Sequence, residues 1–230
     1  MTRGLFLTAT GTDCGKTWLG RGLARSLASR GLRVAALKPL ETDVRELARD
    51  ATALARAAGD PALATHGVRY RAPLSPWAAA RAEGRTVPSP AHLAADAHQR
   101  ARGYDVVLVE GAGGLLVPLD ETSSVADLAG ELGFPLVLVG RDALGTLSHV
   151  LTAWESAERR RLPVRAVVLT RGPWSEGDPS TETNATFLGG RLPAPVLVYA
   201  ASRDDDDALA AAASPLVPTL FPGLDEASRP

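Results

Sequence analysis

The sequence predicts an α/β fold, a doubly wound and mostly parallel sheet with helices on both faces, and three observations carry that prediction. First, runs too apolar to face water alternate with amphipathic segments through most of the length. Second, the opening run Leu5-Phe6-Leu7 leads through a glycine-containing loop, Ala9 to Thr17, into an amphipathic stretch from Trp18 to Leu27, which is a strand–loop–helix unit. Third, the most apolar run, Asp105 to Val109, ends abruptly in Glu110-Gly111-Ala112-Gly113-Gly114, a carboxylate and a flexible turn at a strand tip.

Each element follows in order. Gly4 to Thr8 reads as a strand buried on both faces, and the helix after the loop runs to about Ser29, closed by Gly31. Leu32 to Leu37 is a second strand that delivers Lys38-Pro39-Leu40-Glu41-Thr42 to the sheet edge where such folds bind ligands. Val44 to Ala58 has helical spacing, with Leu47, Ala51, Leu54 and Ala55 on one face and Asp50 beside it. The proline- and arginine-rich stretch from Gly59 to Pro90 reads as an irregular connection with a short helix around Trp77 to Ala82. Ser89-Pro90 then starts a helix to about Arg102, serine as cap and proline in the first turn.

Beyond Glu110 the pattern predicts a helix from Ser124 to Leu132, a strand from Pro135 to Val139 and a helix from the Leu144-Gly145-Thr146-Leu147-Ser148-His149 region to about Arg160. His149 reads as a structural or surface residue. Val164 to Leu169 is a strand, Thr170 to Ser180 a polar loop, Thr181 to Leu188 a short helix and Ala194 to Tyr199 a last strand. Asp204 to Asp207 reads as solvated surface. One domain over residues 1–230 is expected, with about 202–230 a poorly defined acidic, Ala/Pro-rich tail.

Composition narrows the function. A formal net charge of -1 supplies no attraction for nucleic acid or an anionic membrane, which leaves small molecules as the expected partners. The single cysteine, Cys14, excludes an internal disulfide framework and a cysteine-rich metal site, and it reads as a small loop residue. With no run of 18 apolar residues, and a strand beginning just after Met1-Thr2-Arg3, a cytoplasmic protein is expected. The chain uses arginine almost exclusively as its cation, so its two lysines, Lys16 and Lys38, stand out.

The loop is suited to phosphate. Glycines let backbone N–H groups turn toward one point, and the following helix N-terminus adds partial positive charge there. Lys16 is placed to reach terminal phosphates and the Thr17 hydroxyl to bind a magnesium ion, although Thr10 stands where the formal pattern of such loops has its first glycine. The candidate nucleotide-binding residues are Asp13, Cys14, Gly15, Lys16, Thr17 and Trp18, with Glu110, Gly111, Ala112 and Gly113. The candidate ligands of Mg2+ are Thr17, Asp50 and Glu110, and Lys38 is a second cation for the phosphates of a bound nucleotide. No protein base or nucleophile is evident, so these residues describe a magnesium-nucleotide enzyme whose acceptor brings its own nucleophile.

Over about residues 1 to 170 the chain resembles the dethiobiotin synthetase family. That family's loop, T-G-T-D-T-x-V-G-K-T, agrees at Thr8, Thr10, Thr12, Gly15, Lys16 and Thr17, and it too has threonine in place of the formal glycine. Its K-P-x-x-[ST] matches Lys38 to Thr42, its D-A matches Asp50-Ala51, and its P-x-S-P-x-x-A-A-x-x-E-G matches Pro73 to Gly84. The most specific match is Val107-Leu108-Val109-Glu110-Gly111-Ala112-Gly113-Gly114, followed by Pro118-Leu119 and Ala126-Asp127. The resemblance implies a P-loop fold and an ATP-dependent closure of the ureido ring of 7,8-diaminononanoate with CO2, through a phosphorylated carbamate. It implies Lys38, Lys16 and Thr12 as catalytic residues and Thr42 at the diamine. It also implies a homodimer in which Gly145, Thr146 and Ser148 of one subunit hold the substrate carboxylate in the site of the other.

Departures from the family stand at Ala9, Gly11, Asp13 and Cys14 in the loop, and at Thr170-Arg171, where the family often has an Asn-Asp whose amide reads adenine. Weak preference for ATP over other triphosphates is therefore expected. A glutamine-dependent amidoligase would need a glutaminase domain for which no residues remain. An ATPase switch of the partitioning kind would carry a further lysine early in the loop, and a diverged, inactive relative is the third alternative.

Overall fold

The computed structural model describes residues 3–45 and 49–224. Its elements are β1 (Arg3–Ala9), α1 (Lys16–Ala28), β2 (Val34–Leu37), β3 (Leu40–Glu41), α2 (Arg49–Ala57), β4 (Val68–Arg69), α3 (Pro76–Ala82), α4 (Pro90–Arg100) and β5 (Val106–Glu110). They continue with α5 (Val125–Leu132), β6 (Leu136–Arg141), α6 (Thr146–Arg159), β7 (Val164–Arg171), α7 (Asn184–Gly189), β8 (Val196–Ala200), α8 (Asp206–Ala213) and α9 (Val217–Leu220). Among the described residues six strands form one sheet in the order β2-β5-β1-β6-β7-β8, every pairing parallel.

Alternation along the strands explains why both faces are covered. In β1, Leu5, Leu7 and Ala9 join a core with Leu19, Leu23 and Leu27 of α1 and Leu209 of α8. Phe6 joins the opposite core, with Leu93 of α4 and Leu128 of α5. A sheet buried on both sides needs apolar residues at successive positions, which is the composition of β1 and β5. The strand order changes direction around β1, and the loops at the carboxyl ends of β1, β2 and β5 converge there, as open parallel sheets place their ligand crevices.

Several boundaries differ from the sequence reading. The helix α1 starts at Lys16 rather than Trp18, because Gly15 already supplies its left-handed N-cap. The helix expected from Val44 is described from Arg49, and Leu47 lies outside the described residues. Asp43 and Val44 instead bond to the carbonyls of Ala72 and Tyr70 at 3.2 and 3.0 Å. The stretch from Gly59 to Pro90 is more regular than its prolines imply: β4 pairs with β3 in a second, two-stranded parallel sheet, and a 3-10 turn spans Pro61–Thr65. Thr170 and Arg171 continue β7 instead of opening a loop, since they pair with Tyr199 and Ala200 of β8.

The segment read as a loosely defined tail carries α8 and α9, which bury Leu209, Val217, Leu220 and Phe221. Its aspartates are engaged: Arg21 of α1 bridges exposed Asp204 and half-buried Asp206 at 2.5 and 2.8 Å, and Asp205 caps α8 through Ala208 N. Among the described residues no helix is long and apolar enough to cross a membrane.

Candidate active site

The phosphate loop is shaped by backbone conformation and held from two sides. Of its two glycines Gly15 is left-handed, at φ 77°, and Asp13 rather than Gly11 takes the other left-handed position, at φ 53°. That turn leaves the first N–H groups of α1 without a side-chain cap, free to meet an anion. On one side, Thr170 donates its hydroxyl to Cys14 O at 2.8 Å and Arg141 donates to Asp13 O at 2.8 Å. On the other, Leu115 N donates to Ala9 O at 3.1 Å, and Gly114 passes so close that an added Cβ would lie 3.3 Å from Gly11 N. Cys14 is a small residue of this loop, as read, with its thiol buried in the core under α1 and its Sγ 3.5 Å from Thr10 Oγ1.

Strand register assembles the charges. Because Leu37 of β2 pairs with Val109 of β5, the next residues, Lys38 and Glu110, emerge side by side at the carboxyl edge. Lys38 Nζ donates to Glu110 Oε1 at 2.5 Å, to Asp50 Oδ2 at 2.9 Å and to Gly111 O at 3.3 Å. The Thr17 hydroxyl donates to the same Glu110 Oε1 at 2.9 Å, while Glu110 Oε2 is buried with no hydrogen-bond partner. Asp50 is aimed by Glu41, whose carboxylate accepts from Asp50 N at 2.8 Å and Ala51 N at 3.2 Å at the start of α2.

Burial alone would lower the pKa of Lys38, but the Glu110 and Asp50 carboxylates override it and hold the ammonium above its ordinary value. Burial pulls Lys16 below its ordinary value, with Glu110 opposing and Lys38 reinforcing that shift. Lys16 Nζ folds back over the loop to Gly11 O at 3.2 Å.

A cavity of about 920 Å³ opens over this cluster. Thr12, Asp13, Cys14, Gly15, Lys16, Thr17 and Trp18 line it, as do Lys38, Thr42, Asp50, Glu110, Ala112 and Gly113. Gly111 lies just behind the wall and contributes its carbonyl to Lys38. Gly145, Thr146 and Ser148 are not among the lining residues; they begin α6, where Gly145 is the left-handed cap and Thr146 is buried. The sequence reading missed Glu41, Arg49, Ser75 and Trp174 as lining residues. Glu41 and Ser75 fell inside recognised motifs, Arg49 adjoins Asp50, and Trp174 lay in a stretch read as a polar loop.

The two carboxylates and one hydroxyl fit a hard cation. Among the described residues no group of three or more His, Cys, Asp or Glu side chains could hold a metal, but magnesium completes its octahedron with substrate phosphates and water. The partnerless Glu110 Oε2 is an oxygen acceptor suited to it.

A family model described as an AAA domain matches residues 3–200. The ATP-dependent dethiobiotin synthetase BioD of Anaeromyxobacter dehalogenans strain 2CP-C is 44% identical over 190 residues, covering 81% of this chain and 84% of that protein. The protein of the same name from Aquifex aeolicus is 36% identical over 184 residues, covering 80% and 82%. Among solved structures, the septum site-determining protein MinD from Pyrococcus horikoshii superposes with a TM-score of 0.59 at 16% identity, over 100% of this chain and 99% of that one. Chloroplast FtsY from Physcomitrella patens gives 0.58 at 18% identity, over 96% and 66%. These two likenesses show the P-loop fold.

Proposed function

The chain belongs to the ATP-dependent dethiobiotin synthetase family, and from that premise we propose that its cavity closes the ureido ring of 7,8-diaminononanoate with CO2. The observation that carries this reading is that Lys16 and Lys38, the chain's two lysines, both line one cavity beside the α1 N-terminus. Cation density of that kind serves a reaction whose two intermediates, a carbamate and a carbamoyl phosphate, are both anionic.

One substrate amine adds to CO2 and loses a proton, giving a carbamate. A carbamate oxygen attacks the γ-phosphorus of ATP and ADP leaves. The second amine then attacks the carbonyl carbon, phosphate leaves and the ring closes. The substrate supplies both nucleophiles, so the protein positions and neutralises. The α1 N–H groups and Lys16 hold the phosphates; Lys38 balances the carbamate and the transferring phosphoryl group; Thr12 and Thr42 line the diamine. Thr17, Asp50 and Glu110 would hold Mg2+, which when bound offsets charge on the β- and γ-oxygens. In a homodimer the start of α6 serves the partner's site, in keeping with Leu144 standing 85% exposed there.

The test is phosphate release by the purified chain with ATP, Mg2+ and bicarbonate, with and without the diamine. Release that requires the diamine, with dethiobiotin identified by mass, is expected. Hydrolysis that ignores the diamine would overturn the reading in favour of a nucleotide switch.

A further inference from the structure

Two indole rings line the cavity beside the phosphate loop. Trp18 follows Lys16-Thr17 directly, and Trp174 sits just beyond β7; both line the cavity that holds the phosphate loop. Their ring centroids are 6.0 Å apart with planes inclined by 34°. Trp174 is anchored by its indole N–H to Thr170 O at 2.9 Å, and the Arg141 guanidinium lies 5.1 Å from its ring centroid.

The two polar side chains that end β7 are committed elsewhere. Thr170 is fully buried, with its hydroxyl 2.8 Å from Cys14 O and 3.3 Å from Gly140 O. Arg171 donates to Asp142 and to Thr181 O, both at 2.8 Å. Reading a base by its edge needs donors and acceptors aimed at it, whereas stacking needs only a face, and every base has one.

We propose that the base of the nucleoside triphosphate seats on the wall formed by Trp18 and Trp174, backed by Arg141, and that this wall makes nucleotide choice tolerant of the base. The proposal rests on the nucleotide-dependent reading of the site above. Trp174 is then a base-binding residue that contributes affinity to all four bases alike.

The experiment is equilibrium binding in Mg2+, without diamine, of ATP, GTP, CTP, UTP and inorganic triphosphate to the full chain and to Trp174→Ala and Trp174→Phe. The wild type should bind the four nucleotides within about tenfold of one another. Base–aromatic stacking predicts that Trp174→Ala weakens all four by about 5- to 150-fold while inorganic triphosphate, which has no base, changes by less than about twofold. Trp174→Phe should recover most of the loss. If Trp174→Ala does not fold, Trp174→Leu keeps apolar bulk without a π-face and gives the same reading. Equal weakening of inorganic triphosphate would overturn the proposal by showing that Trp174 only supports the loop. So would unchanged nucleotide affinity, or a wild-type preference of about a hundredfold for one base. A chain that binds nucleotides through Trp174 but closes no ring fails the functional reading alone; one that closes the ring with binding indifferent to Trp174 fails this proposal alone.

Discussion

Replacing Lys38 by Gln tests the site through two readouts. The Lys38 side chain is 5% exposed and bonded to two carboxylates, of which Glu110 is 1% and Asp50 40% exposed. Removing the ammonium leaves the Glu110 carboxylate buried without its counter-ion, and breaking a buried pair from one side costs about 3–5 kcal/mol. The half-solvated Asp50 adds less than about 1 kcal/mol. For a chain of this size each kcal/mol moves the melting temperature by about 2–4 °C, so Lys38→Gln should melt about 6–20 °C lower. The assay is thermal unfolding followed by circular dichroism, in EDTA and without nucleotide, for Lys38→Gln, Glu110→Gln and the double variant. The double variant removes both charges and should recover most of the loss. A drop under about 2 °C, or a double variant equal to the sum of the singles, would refute the buried-pair argument. Turnover should vanish in Lys38→Gln while nucleotide binding persists; normal turnover would remove Lys38 from the chemistry.

Three further predictions address the supports of the site. Glu41→Gln removes the charge that caps α2 and aims Asp50, and should cost about 1–2 kcal/mol in urea unfolding; an unmoved midpoint would discard that role. Gly15→Ala forces a Cβ into a left-handed position, 2.9 Å from Thr170 Oγ1, and should lower stability by about 1–2 kcal/mol together with affinity for inorganic triphosphate. Unchanged affinity for that anion would contradict the loop geometry. Asp120 is held down to about 2 by hydrogen bonds from Ser123 and Thr122. Its folded pKa lies below the unfolded one, so its contribution is present above about pH 4 and is lost as pH falls through about 2. Carboxyl chemical shifts across that range should show the Asp120 midpoint at about 2; an ordinary aspartate midpoint would refute the turn.

Much of this protein was legible in one dimension because its signals are local. Apolar runs such as Leu5 to Leu7 and Val106 to Val109 announce strands buried on both faces, and Gly15-Lys16-Thr17 after the first of them announces an anion site at a helix start. Ser89-Pro90 marked the start of α4, where Ser89 caps His92 N as expected. Less local features escaped. The pairing of β3 with β4 joins residues 28 positions apart, Leu40 with Val68, across the intervening helix α2, and each strand is only two residues long, too short to show a period. Trp174 carries no motif, and its place at the cavity follows from where β7 ends.

The sequence by itself determined the fold class, the phosphate loop and the residue types at the strand tips, because periodicity, glycine placement and two isolated lysines express themselves within a few positions of the chain. Tertiary structure alone decided that Lys38 and Glu110, 72 residues apart, share one hydrogen bond, and that Thr170 of β7 buttresses Cys14 of the loop. It also decided that an acidic stretch read as tail pins α8 to Arg21 of α1. The reason is physical: parallel pairing brings distant residues together by register, and nothing local to Lys38 or Glu110 records which strand will lie beside it.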